Sequence, residues 1–562
     1  MLETAALRES QCKLAAKEAA YLAGDAAVYA AVHQRWTTAE LPAISEITDS
    51  YRVFTTSYFQ LGFIPKSTFA ERIANHEIDE FLILCVLALS ARFTPSLVAK
   101  HGGGKEATNF FMQQALNLVP ERMYTPNVEN TQAFFLLSIA EWGNGERERS
   151  SIHMGVAVRM AAMLKLHREE TYQLEAGATE EEVIEAEMGR RTFWMIQSQD
   201  NLHSGYESPA AFALDDITAL LPCEESDFRF GINPHERAAL QGTVPALKDS
   251  SLTSSSKRPL FATLIQVHSL WGQVARKVGR SSQSKVAPDT PCLFLSLEYR
   301  QIVQALNDFE SQLPPQQKWS ARNLGVWKDF GYELAYLSVV MMLRLSNIIV
   351  RRTYLQDVKE CLTGHNVDDT TRNLWAGIAD ELFHAVEELY EQIEASFAMQ
   401  SRKQAQAYPA ILALPVYVCG SLSLNLWKCP ALCPARAPRA SQMIHRCLQA
   451  ITELQLAWPM AASWQKGLQQ AARPLNDDSL PTPGITQLDS RQAHTAQVPI
   501  SPPIFRPEGI ALGTSGLPRS EVQQGHYHMD PSFEFDTLTH EMFDAEVMAF
   551  LQGEAHFGFW DI

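Results

Sequence analysis

The 562-residue sequence predicts an all-α fold, and three observations carry that expectation. Apolar residues recur at helical spacing through roughly the first 470 positions. Alternating β-branched runs, the mark of strands, are few. Hydrophobic residues make up 46% of the chain and aromatics 9%, which is enough for a large buried core of helices. A chain of this length exceeds what a single compact core holds, so division into more than one unit is expected.

The elements follow in order. Residues 1–49 are an Ala-rich helical segment (Leu2 to Val32 above all) with an irregular heptad pattern. A large helical domain is expected over residues 50–470. Within it, His101-Gly102-Gly103-Gly104 reads as a turn. Ile152, Val156, Met160, Met163, Leu164 and His167 fall on one face of a helix, with Gly155, Ala157 and Ala161 elsewhere on it for close approach of a neighbour. Thr179 with Glu182 forms a capping box, starting a helix whose stripe is Ile184, Met188, Met195 and Leu202. The glutamates Glu180–Glu182 then sit at the positive end of its dipole.

Glu224 to Pro259, carrying Ser250, Ser251 and Ser254–Ser256, reads as an exposed loop. Leu382, Val386, Leu389, Tyr390 and Ile393 stripe a later helix. Tyr336–Val350 and Tyr408–Trp427 are apolar. The second has twenty residues without a charge, but Pro409, Pro415, Gly420 and Asn425 interrupt it, so buried core helices are expected and no membrane span. Residues 471–529 are a Pro-rich linker expected to be disordered. Residues 530–562 form an acidic–aromatic tail, with no lysine or arginine after Arg519.

Charge and cysteine usage narrow the class. The net charge of −17 (47 basic against 64 acidic residues) disfavours phosphate contacts, which dominate non-specific DNA affinity. The nine cysteines (Cys12, Cys85, Cys223, Cys292, Cys361, Cys419, Cys429, Cys433 and Cys447) are scattered, and reduced intracellular thiols are the simplest reading. Cys429 and Cys433 lie close, yet only His445 and Cys447 are near enough to complete a metal site, so buried thiols are expected there. No G-x-S-x-G, phosphate loop, H-E-x-x-H or paired C-x-x-C occurs. No cofactor is therefore expected in this chain, and no enzyme activity.

The stretch Glu187 to Cys223 reads E-M-G-R-R-T-F-W-M-I-Q-S-Q-D-N-L-H-S-G-Y-E-S-P and then D-D-I-T-A-L-L-P-C. It resembles the fungal-specific transcription factor domain, the helical middle region of zinc-cluster and xylanolytic-activator-type regulators. The residues that carry the resemblance are Glu187, Arg190, Arg191, Phe193, Trp194, Asp200, Pro209, Asp216 and Pro222. Gly155–Arg168, Leu306–Pro314 and Asn347–Leu355 are similar to further stretches of that family, with Thr353 where a proline is usual, and the likeness runs over about residues 50 to 460. The six-cysteine binuclear zinc cluster that reads DNA in that family does not occur in these 562 residues.

On a helix, Glu187 faces Arg190 and Arg191 at i+3 and i+4, so a scaffold role is expected for these residues, with Asp200 anchoring the turn toward Pro209. In the tail, Phe533, Phe535, Phe543, Phe550, Phe559 and Trp560 alternate with acids, the composition of an activation segment. Phe543, Val547, Phe550 and Leu551 lie on one helical face for binding in a coactivator groove. The resemblance implies a nuclear transcriptional regulator with coactivator or mediator-type partners. It also implies contact with DNA only indirectly or through a zinc module, and pairing as a homo- or heterodimer. The competing reading is a helical small-molecule-binding protein or an enzyme without a recognisable motif.

Overall fold

Helix boundaries in the chain are set by short polar caps and by which faces find neighbours. The computed structural model describes residues 41–58, 61–65, 69–203, 210–253, 258–283, 297–364, 367–398 and 412–473. Among these residues every regular element is helical and no strand occurs. Thirteen helices among the described residues have eleven residues or more. They are α1 (Ile44–Ser57), α2 (Glu80–Ser90), α3 (Gly104–Arg122), α4 (Val128–Asn144), α5 (Arg147–Met163), α6 (Glu180–Leu202) and α7 (Leu260–Gln283), then α8 (Leu297–Ser311), α9 (Glu333–Arg352), α10 (Asp369–Ala398), α11 (Ala413–Lys428), α12 (Ala440–Ala457) and α13 (Ala461–Ala471).

Asp79 and Asn127 cap α2 and α4 by accepting backbone N–H groups at 2.9 and 2.7 Å. At α6 the capping box forms in both directions, Thr179 Oγ1 accepting from Glu182 N at 3.2 Å and Glu182 Oε2 from Thr179 N at 2.8 Å. Gly102 ends the short helix Pro95–His101 at φ 78°, a left-handed C-cap that suits glycine.

Packing runs as a continuous succession. α2 lies against α1, α3 and α4; α4 against α5 and α6; α6 against α7; α7 against α9; and α9–α13 complete the other end. Residues from Ile47 to Leu468 contribute to one hydrophobic core. Because several layers stack, some helices are buried on all sides rather than along one stripe. α2 is buried from Glu80 through Ser90, and α9 over most of its length. α9 is long and apolar enough to cross a membrane by length and composition, yet 89% of its apolar window is buried inside the protein. Tyr417 to Ser423 of α11 are likewise buried.

Trp458 joins the two ends of the succession. It is fully buried between α12 and α13 and reaches Tyr58, Phe93 and the Arg92 guanidinium, which sits 4.4 Å from its ring centroid. Gly143 of α4 makes room for it, since a Cβ there would lie 2.5 Å from the indole ring.

Two expectations are corrected. On α5 the packed face is Ser150, His153, Ala157, Met160 and Ala161, while Ile152 and Met163 are 64% and 62% exposed. Small Ala157 and Ala161 let α4 come close, and His153 Nδ1 meets the buried Glu141 carboxylate at 2.7 Å, so a polar pair outranked two large apolar side chains. Glu224–Pro259 is not a plain exposed loop. It contains helices Glu225–Phe230 and Val244–Lys248, buries Phe228 and Ala238–Leu240, and is stitched to its surroundings by Leu221 N–Ala238 O and Val244 N–Ile217 O bonds. Of its serine run, Ser250 and Ser251 lie in a 3-10 turn, and Ser254–Ser256 fall outside the described residues.

Candidate functional site

The signature helix α6 is buried on all faces from Glu187 to Ser198. A charge placed there has no water, so it must find partners from other segments. Glu187 is 2% exposed and accepts from Arg191 Nε at 3.2 Å, Arg237 Nη1 at 2.8 Å and the Cys223 backbone N–H at 2.9 Å. Arg190 Nε stands 3.6 Å away. Burial pushes the Glu187 carboxyl up, but Arg237, Arg191, Arg190 and the Cys223 N–H outweigh it and hold it below its ordinary value.

The two arginines diverge from this carboxylate. Arg191 donates to Glu225 at 2.6 Å, to Gly62 O at 3.3 Å and to Cys223 O at 3.2 Å, with Phe228 stacked at 4.0 Å from its guanidinium. Burial would lower its pKa; Glu225 and Glu187 reverse the sign and raise it. Arg190 grips Glu169 with two nitrogens, at 2.5 and 2.7 Å, donates to Leu220 O at 3.0 Å and covers the Tyr172 ring. Leu220 N in turn donates to Glu169 at 2.7 Å, and Trp194 Nε1 donates to Leu220 O at 2.8 Å. One helix thus clamps the 217–225 strip, the 3-10 turn Glu169–Tyr172 and the segment after α1.

The remaining signature residues fall around this latch. Trp194 and Phe193 are fully buried, edge to face at 5.0 Å, and Phe193 also meets Phe212. Pro222 is buried within the clamped strip. Asp200 accepts from Ala211 N at 3.1 Å, and burial raises its pKa. Asp216 sits apart, exposed, 4.0 Å from Arg168. Pro209 lies outside the described residues, as do Phe533, Phe535, Phe543, Phe550, Phe559 and Trp560.

Residues that the sequence reading did not single out supply half of the latch: Glu169, Tyr172, Glu225, Phe228 and Arg237. Their one sequence signal is that charged Glu225 and Arg237 flank apolar Phe228 and Ala238–Leu240 in a stretch otherwise loop-like.

Chemically the arrangement holds rather than reacts. Each carboxylate in it faces a guanidinium, and the Cys223 thiol is pushed up to about 12 by burial and by Glu187. A cavity of about 250 Å³ adjoins the latch, lined by Glu169, Glu187, Arg190, His235 and Arg237 among others. Its charges are already paired with one another. Among the described residues no group of three or more His, Cys, Asp or Glu side chains is placed to hold a metal ion. Cys429 and Cys433 bracket a 3-10 turn, and Cys433 Sγ lies 3.7 Å from Asp380.

The described residues thus form an all-helical scaffold whose signature helix is locked by a buried Glu–Arg–Arg latch. Residues 52–286 match the fungal specific transcription factor domain. The match contains the whole latch. Over 307 residues the chain is 27% identical to an uncharacterized transcriptional regulatory protein of Schizosaccharomyces pombe, covering 52% of this chain and 44% of the relative. It is also 26% identical over 372 residues to a Zn(2)-C6 fungal-type transcription factor of Fusarium oxysporum f. sp. lycopersici, covering 64% of this chain and 39% of that protein. The chain thus spans less than half the length of these relatives.

Proposed function

We propose that this chain is a fungal transcriptional regulator acting in the nucleus. In this reading the helical domain, residues 50–470, is the regulatory part, residues 471–529 link it onward, and residues 530–562 activate transcription by binding a coactivator or mediator-type protein. The observation that carries the reading is the fungal specific transcription factor domain over residues 52–286, centred on the latch. DNA is reached through a zinc cluster or a DNA-binding partner, in a homo- or heterodimer, rather than through these 562 residues, whose net charge is −17. A gel shift with the purified chain at physiological salt is expected to show no sequence-specific complex at nanomolar protein; such a complex would refute indirect targeting.

The tail gives the direct test. Residues 530–562, fused to an unrelated DNA-binding domain, are expected to activate a reporter. The acids speed encounter with a basic surface, and the aromatics supply affinity in an apolar groove. Replacing Phe543, Phe550, Phe559 and Trp560 together by alanine keeps the net charge and is expected to abolish the output while the fusion stays soluble. Equal activity from both fusions rejects the aromatic anchors, and an inactive parent fusion rejects activation by this segment.

A further inference from the structure

A second recess, of about 600 Å³, lies between α7 and α8, apart from the latch. Arg258, just before α7, lines it with Gln266 and Gln273 of α7 and Arg300, Gln304 and Phe309 of α8. Arg258 is only 5% exposed. Its Nη1 donates to Thr253 O at 3.3 Å and to Gln266 Oε1, and Phe309 lies 5.3 Å from the guanidinium. Its Nε is buried with no hydrogen-bond partner, and among the described residues no carboxylate pairs with it. Burial alone pulls the guanidinium down to about 10. Asp308, also at the recess, is bonded by Gln304 Nε2 at 2.7 Å instead. Every arginine of the latch has a carboxylate; this one lines the recess without one.

We propose that the recess binds a small, polar organic carboxylate held by the unfilled edge of Arg258 and met at the mouth by Arg300. A planar guanidinium edge matches the two coplanar oxygens of a carboxylate. Phe309 and the Nη1 bonds fix the plane of that edge before a ligand arrives. Gln273, the Gln266 amide nitrogen and the Gln304 amide oxygen line the recess with donors and acceptors besides those already bonded, which suits a ligand bearing hydroxyl or carbonyl groups besides its carboxylate. The volume lies within the range of about 300–1,000 Å³ usual for small-molecule sites. The inference goes beyond the regulatory reading and does not rest on it.

The test is calorimetric titration of the full chain with sodium acetate, succinate, L-malate and citrate at constant ionic strength, with phosphate and chloride as comparators. Malate or citrate is expected to bind saturably with one site per chain. Arg258→Gln is expected to weaken that binding on the order of 10- to 100-fold. Without ligand its melting midpoint should equal or exceed the parent's, because an unpaired buried cation has been removed. Arg300→Gln, at an exposed position, keeps the fold and is expected to weaken binding about 3- to 10-fold. The proposal is overturned if none of the four carboxylates binds saturably, or if phosphate binds as tightly as the best of them. Parent-like affinity in Arg258→Gln also overturns it. Should Arg258→Gln fail to fold, Arg300→Gln decides alone, and unchanged affinity in that variant overturns the proposal.

Discussion

Two arginine–carboxylate clusters in this molecule use the same residue types in opposite surroundings. In the latch, Glu187, Arg190 and Arg191 have side chains 2%, 3% and 1% exposed. On the outer side of α10, Arg436 and Arg439 reach Asp380 and Glu387, and Asp380 and Arg439 are 63% and 45% exposed. Water competes with every contact in the second cluster and with almost none in the first. Pairing is therefore optional outside and costly to forgo inside, because an unpaired ion in the interior cannot fall back on solvent.

The comparison is broken most directly at Glu187. Glu187→Ala strands Arg237 and takes one carboxylate partner each from Arg190 and Arg191, and is expected to cost about 3–5 kcal/mol, read as a drop in the urea unfolding midpoint. A loss no larger than that of a surface variant would show that water reaches the latch. Trp194→Ala removes a fully buried ring and the donor to Leu220 O, and is expected to cost about 3–5 kcal/mol in the same measurement. A melt indistinguishable from the parent would place the indole outside the core.

Acid adds a third way of keeping charge out of the interior. His268 is buried, hydrogen-bonded to Ser198, and held neutral by burial, which lowers its pKa from 6.5 to about 3. The unfolded chain takes up this proton first. Stability is therefore expected to fall as pH drops below 6.5, by about 2 kcal/mol at pH 5 from this residue. Glu187 has the same sign at lower pH: its depressed pKa contributes stability above the ordinary carboxylate range that fades as pH falls through it. Urea titrations of parent and His268→Gln between pH 7 and 5 check this, since the variant should lose that part of the slope; identical slopes would contradict it.

Gly143→Ala places a Cβ against the Trp458 ring and is expected to cost about 1–3 kcal/mol. A double variant with Trp458→Leu should recover part of that loss if the clash is its cause. At the small end, Arg436→Ala is expected to change stability by about 0–1 kcal/mol. A loss of several kcal/mol would mean that the exposed cluster belongs with the latch.

Helices were legible wherever a local rule sufficed. Thr179 and Glu182 lie three residues apart, so their reciprocal cap is readable directly and forms. The stripe of Leu382, Val386, Leu389, Tyr390 and Ile393 is buried as its spacing implies. The α5 stripe misled because hydropathy ranks Ile152 and Met163 above Ala157 and His153, whereas the neighbour's shape and the Glu141 carboxylate chose the small and polar face. Glu224–Pro259 misled because its order comes from distant partners, and no periodicity encodes those.

What the sequence by itself determined is therefore the all-helical class, the helix start at Thr179 and the grouping of Glu187, Arg190, Arg191, Phe193 and Trp194 on one helix, since all of these follow from backbone geometry over a few residues. Only the tertiary structure decided that this helix is buried on every side, that Glu169, Glu225 and Arg237 complete its ion pairs from 21 to 50 residues away, and that Arg258 is left without one. The physical reason is that the energy of a charge depends on how much water remains around it, and that is fixed by the assembled layers rather than by the residue's neighbours in the chain.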